Sequence, residues 1–145
     1  MTTAPQAVPG ALSVGRLHSL TRQTIKASEL DLSGLTVLTE AASGSCGVTA
    51  VAAAMANAKK VYAKVRPTSY GSVAEVTEWT QKLAREGGVQ DQVWWKRFPL
   101  IFWEEVDIVT NSGHLRPISA HIVREAASAA VIALMFEHGN FDRMI

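Results

Sequence analysis

The sequence predicts an α/β domain, a Rossmann-like three-layer αβα sandwich built on a mostly parallel sheet of four to five strands. Three observations lead there. The 145 residues correspond to about one domain, long enough to bury roughly 68–70% of the unfolded surface in a single core. The composition, 48% hydrophobic with 19% charged and 7% aromatic residues, is that of a globular protein and excludes disordered, collagenous and coiled-coil classes. Short β-branched runs alternate with helix-forming ones of crossover length, which argues for right-handed βαβ connections and a sheet covered on both faces.

Taken in order, residues 1–10 carry Pro5, Pro9 and Gly10 and read as a loose polar tail. From Ala11 to Leu30 the widely spaced Leu12, Leu17, Leu20, Ile25 and Leu30 give a weak helical pattern, so residues 1–28 are assigned as a tail with a packing helix and residues 29–145 as the domain. Leu35–Thr39, bounded by Gly34 and by Ser43-Gly44, reads as a buried strand. Gly47–Ala58 is Ala-rich and nearly uncharged before Lys59, the pattern of a helix buried on much of its circumference. Lys60–Val65 is a second strand, followed by turn chemistry from Pro67 to Gly71. Ser72 with Glu75 three residues on forms a capping-box pattern; the helix it opens presents Val73, Val76, Trp79 and Leu83 and stops at Gly87-Gly88. Val93–Trp95 reads as a short edge strand, and Pro99–Trp103 as the start of a short helix or a packed loop. Val106–Thr110 is a strand, Ser119–Ala127 a helix capped by Ser119, and Ala130–Met135 a last strand.

Charge and cysteine content narrow the partners. Fourteen Lys and Arg against 13 Asp and Glu leave a net charge of +1, which supplies no general attraction to nucleic acid or to an anionic membrane. The single cysteine, Cys46, excludes an intrachain disulfide and a Cys-rich zinc site and fits a reducing, cytoplasmic setting. The amino terminus has neither a basic segment nor an apolar run, no stretch approaches the ~20 apolar residues of a membrane span, and no His, Asp or Glu spacing suggests a metal site.

The junction between the first strand and its helix carries the chemistry. Ala42-Ser43-Gly44-Ser45-Cys46-Gly47 has the spacing of a dinucleotide-binding turn with alanine at the first glycine position. A small residue at 42 permits a tight turn, Gly44 admits a pyrophosphate close to the backbone, and Gly47 lets the helix sit against the sheet. The helix N-terminus offers amides and a partial positive charge to phosphate, and Ser43 and Ser45 add hydroxyls. The same residues also read as an ordinary Gly/Ser connection. About twenty residues on, where a ribose-binding acid marks NAD specificity, stand Lys64, Arg66, Thr68, Ser69 and Tyr70. A guanidinium there suits a 2′-phosphate, so NADP is expected over NAD. The alternative is that Lys64 and Arg66 only solvate a strand end. Cys46, at a helix N-terminus that lowers thiol pKa, is a conceivable nucleophile but reads better as a small turn residue.

These features resemble a known family. Glu29–Leu38 with the glycine turn, then Glu104–Asn111 through Pro117, Ile122 and Ala130–Leu134, are similar to the NAD(P)-binding domain of D-2-hydroxyacid dehydrogenases and related formate/glycerate dehydrogenase-like proteins, over roughly residues 29–136. The resemblance implies that Ala42, Gly44 and Gly47 hold the pyrophosphate, that Arg66 meets the ribose end, and that Asn111, Ser112 and Gly113 pass beside the nicotinamide. The family's substrate-binding arginine, acid and histidine lie beyond the fifth strand or in a companion domain, so they do not carry over.

Other candidates fall at expected carboxyl ends of strands. His114, in a Gly-flanked loop, is the expected acid/base, with Arg116 able to bind a carboxylate; Glu40, Glu137 and His138 are further ionisable groups, Glu137 being the second catalytic candidate. Each also reads as a group satisfying loop backbone or facing solvent. His121 reads as a helix-surface residue, and His18 points nowhere in particular. Trp94, Trp95, Phe98, Phe102 and Trp103, with Lys96 and Arg97, form an aromatic cluster that is either core under a long loop or an association surface; a homodimer built partly on it is expected. The expectation is an NAD(P)-dependent oxidoreductase acting on a small-molecule substrate, a carbonyl, hydroxy or amino metabolite, at a subunit interface. The alternatives are a non-catalytic nucleotide-binding subunit of a partner enzyme and an S-adenosylmethionine-dependent transferase.

Overall fold

The computed structural model describes residues 12–96, 101–110, 118–126 and 130–133. Strands β1 (Thr36–Glu40), β2 (Lys60–Lys64), β3 (Val93–Lys96), β4 (Ile108–Thr110) and β5 (Val131–Ala133) form one sheet in the order β3-β2-β1-β4-β5. Every pairing is parallel. The α/β class is therefore realised. Helices α1 (Val14–Ala27), α2 (Val48–Met55), α3 (Val73–Glu86) and α4 (Ala120–Glu125) accompany the strands, with single 3-10 turns at Gly44–Gly47 and Trp103–Glu105.

The chain steps outward from β1 to β2 to β3, returns past β1 to β4, and continues the other way to β5. With crossovers of one hand, reversing the direction of travel moves the following helix to the opposite face. The core follows that rule. Val37, Val61, Ala63 and Val93 pack with Leu17 of α1, Ala50 and Val51 of α2, and Val76 and Leu83 of α3. The alternate strand residues Leu38, Tyr62 and Val109 pack instead with Ile101, Trp103, Val106 and Ile122 of α4. Central β1 is buried at all five positions because both of its faces are covered.

Local chemistry sets the helix ends. The Ser72 hydroxyl accepts from the Glu75 amide while Glu75 Oε2 accepts from the Ser72 amide, so both halves of the capping box form. Ser13 caps α1 and Ser119 caps α4 in the same way, accepting from Arg16 and Ile122 amides. The alanines of α2 combine high helix propensity with small volume, so Ala50 and Ala54 lie buried against the sheet. α1 is tied to α3 by His18, whose Nε2 lies 2.8 Å from the Leu83 carbonyl.

Several boundaries move. The helix expected over Gly47–Ala58 begins as the 3-10 turn and ends at Met55, because Asn57 adopts the left-handed conformation (φ 69°) that terminates helices. The first strand shifts one residue on, since the Leu35 amide closes a turn onto Leu32 while Glu40 pairs with Lys64. The fourth strand starts at Ile108 rather than Val106, whose amide is spent on the Trp103 carbonyl. The aromatic cluster divides: Trp103 is buried and Trp95 donates to Thr80 Oγ1 at 2.7 Å, whereas Trp94 and Phe102 are exposed. Phe98, Arg97 and the loose tail of residues 1–10 lie outside the described residues.

Candidate nucleotide-binding site

In open parallel sheets ligands sit beyond the carboxyl ends of the strands, where the strand order reverses. Here that point lies between β1 and β4, whose ends are joined by Thr110 Oγ1 donating to Thr39 Oγ1 at 2.8 Å. The Ala42–Gly47 turn leaves the carboxyl end of β1 beside it. The Ala41 amide still bonds the Lys64 carbonyl at 2.9 Å, so the chain turns away only at Ala42.

Within the turn, Ala42 and Ser43 are half-buried, Gly44, Ser45 and Cys46 are exposed, and Gly47 is buried. Gly44 has φ +59°, and a Cβ built there would meet nothing within 4 Å. Glycine is thus favoured by conformation, and the space outside the backbone is open. Gly47 is the reverse case. A Cβ there would lie 2.6 Å from the Ala42 carbonyl oxygen and 2.8 Å from Trp79 Nε1. The nearest neighbours of such a Cβ are thus the turn itself and α3. Ser43 is the N-cap of the 3-10 turn but makes no side-chain cap bond, and Gly47, N-cap of α2, has no side chain to make one. Thr49 Oγ1 bonds the Cys46 carbonyl at 3.1 Å, and Trp79 Nε1 donates to the Gly44 carbonyl at 2.9 Å.

The neighbouring strand supplies the basic side. Glu40 and Lys64 are in register at the ends of β1 and β2, and Arg66 and Thr68 follow on the exposed β2–α3 loop. Burial, then the nearby Arg66 cation, holds the Lys64 ammonium below its ordinary value. Thr68 Oγ1 accepts from the Tyr70 amide at 3.2 Å, and Thr68 pairs with Gly71 across a tight turn, which leads directly into the Ser72 cap.

The structure thus brings the expected cofactor residues Ala42, Ser43, Gly44, Ser45, Cys46, Gly47, Arg66 and Thr68 to adjoining strand ends. Asn111, Ser112, Gly113, His114, Arg116, Glu137 and His138 lie outside the described residues. Of the described histidines, His18 is buried between α1 and α3, and His121 is exposed on α4 near Trp103. No group of three or more His, Cys, Asp or Glu converges among the described residues, and none of their helices is long and apolar enough to cross a membrane. A cavity of about 410 Å³ beside Arg22, Met55, Asn57 and Gln92, and another of about 200 Å³ beside Thr36, Lys60, Glu105 and Asp107, open at the amino ends of the strands, away from the turn.

Sequence reading missed Trp79. An aromatic residue on the apolar face of a helix reads as core, and nothing local signals a bond to a glycine 35 residues earlier. No known protein family matches the chain, and no curated protein matches it.

Proposed function

We propose that the chain binds an NAD(P) dinucleotide at the Ala42–Gly47 turn, with NADP preferred, and serves an oxidoreductase-type reaction on a small carbonyl, hydroxy or amino metabolite. The observation that carries the reading is the position of the glycine turn. It stands at the reversal point of a β3-β2-β1-β4-β5 parallel sheet, beside a strand end bearing Lys64 and Arg66. The uncapped turn suits the pyrophosphate. Lys64 and Arg66 set two basic side chains at and just beyond that strand end, and a 2′-phosphate suits them better than an unphosphorylated ribose.

In this reading His114, in the stretch of sequence that follows β4, acts as acid/base, with Glu137 as the second ionisable group. A second subunit completes the substrate pocket, and exposed Trp94 and Phe102 supply part of the contact. Titration calorimetry with NADP and NAD tests the cofactor. NADP is expected to bind more tightly than NAD, and Arg66→Ala to weaken NADP by roughly tenfold to a hundredfold while leaving NAD nearly unchanged. Absence of binding by either dinucleotide at millimolar concentration refutes the reading, and a response to S-adenosylmethionine alone replaces it with methyl transfer. Binding without turnover of any oxidisable substrate reassigns the chain as a non-catalytic nucleotide-binding subunit.

A further inference from the structure

We propose that Trp79 is the positioning residue of the Ala42–Gly47 turn, its indole N–H holding the Gly44 carbonyl so that the turn is shaped for an anion before any ligand arrives. The ligand part of this inference rests on the nucleotide reading above; the positioning part does not.

An indole N–H can only donate, and Trp79 Nε1 finds its acceptor at Gly44 O, 2.9 Å away. The peptide unit is planar and trans, so its carbonyl and the next amide point in opposite directions. Fixing the Gly44 carbonyl toward α3 therefore fixes the Ser45 N–H away from it. Gly44, at φ +59° with open space around it, has no side chain to restrain this peptide itself. Ser43 adds no cap bond. The 3-10 bonding of the turn restrains it from within, and the restraint from outside comes from another helix.

That helix is anchored independently of the turn. The capping box fixes the start of α3, and Val76 and Leu83 are buried. Thr80 joins the helix to β3, donating to the Val76 carbonyl at 2.8 Å and accepting from Trp95 Nε1 at 2.7 Å. The indole also packs where a Cβ at Gly47 would stand, 2.8 Å from Nε1 and 2.9 Å from Cδ1. The missing side chain at Gly47 makes room for the tryptophan. α3 begins just after Arg66 and Thr68, so one rigid helix links the basic loop to the glycine turn.

Trp79→Phe keeps the ring and removes the donor. Hydrogen exchange of the ligand-free protein is expected to show the Cys46 and Gly47 amides, bonded within the 3-10 turn, opening about five- to tenfold more readily, with β1 and β2 amides unchanged, and NADP affinity falling by a similar factor. Unchanged exchange at the turn overturns the proposal. If the variant does not fold, the unaltered protein decides. The Trp79 indole proton should exchange slowly in NMR, and exchange as fast as that of a free indole refutes the bond. A protein that takes no NADP, yet shows the expected turn opening in Trp79→Phe, sinks the nucleotide reading and leaves the positioning role intact. If NADP binds and the variant alters neither exchange nor affinity, the positioning role falls and the nucleotide reading stands.

Discussion

Replacing Gly47 by alanine tests the packing of the turn directly. Gly47 has helical dihedrals (φ −61°, ψ −18°), so alanine suffers no backbone strain there, and reduced unfolded-state freedom alone would stabilise the protein by ~0.4–1 kcal/mol. Against this, the new Cβ would sit 2.6 Å from the Ala42 oxygen and 2.8 and 2.9 Å from two atoms of the Trp79 indole. The carbonyl is backbone and the indole is held by its own bond, so neither yields cheaply. Overpacking of this kind costs roughly 1–3 kcal/mol, and displacing the indole forfeits a hydrogen bond of about 1 kcal/mol. The net expectation is a loss of roughly 1–3 kcal/mol, or roughly 3–10 °C in Tm for a domain of this size. Gly15→Ala in α1 is the matched control, because nothing lies within 4 Å of its added Cβ; it should gain ~0.4–1 kcal/mol. Urea unfolding of both variants gives the comparison. If Gly47→Ala lies within about 0.5 kcal/mol of Gly15→Ala, the crowding argument is wrong.

Two further outcomes are expected. Burial, then Arg22, lowers the His18 pKa, with Glu86 opposing; the folded chain then binds fewer protons than the unfolded one just below the ordinary value of about 6.5. Stability should therefore fall as pH drops through that value toward the folded pKa and level off below it, and a His18→Asn variant should lose this slope in urea midpoints taken between pH 7.5 and 5. Thr80→Val removes the acceptor of Trp95 Nε1 and a buried donor while keeping the volume; a loss of roughly 1–3 kcal/mol is expected, with a midpoint equal to wild type speaking against the bond.

How far the sequence reveals the structure depends on the range of the interaction. The α3 start was readable because Ser72 and Glu75 satisfy each other's amides within one turn. The glycine turn was readable because positions 44 and 47 carry the spacing directly. The end of α2 was not: Asn57 in the left-handed conformation is a local choice that an alanine-rich stretch masks. The fate of the aromatic cluster was not readable either. Trp94 and Trp95 are neighbours in β3, and alternation sends Trp95 toward Thr80 in one core while Trp94 stands on the other face, 5.0 Å from the Lys60 ammonium. Which of two adjacent tryptophans faces a helix depends on pairing with β2, and no composition count contains that.

Strand order is the decisive long-range term. Alternating strands and helices imply parallel pairing, but they equally permit β4 to add beyond β3, in which case the glycine turn would leave an edge strand. Instead β4 lands against β1, with the Asp107 carboxylate accepting the Thr36 amide at 2.8 Å and the Asp107 amide bonding the Thr36 carbonyl at 2.9 Å. Buried Trp103 and Val106 cover the face of Leu38 and Tyr62 as the chain crosses over. That return makes β1 central and sets its carboxyl end at the reversal point. A short motif that is otherwise only a Gly/Ser connection thereby stands where a parallel sheet can receive a ligand, braced from outside by Trp79.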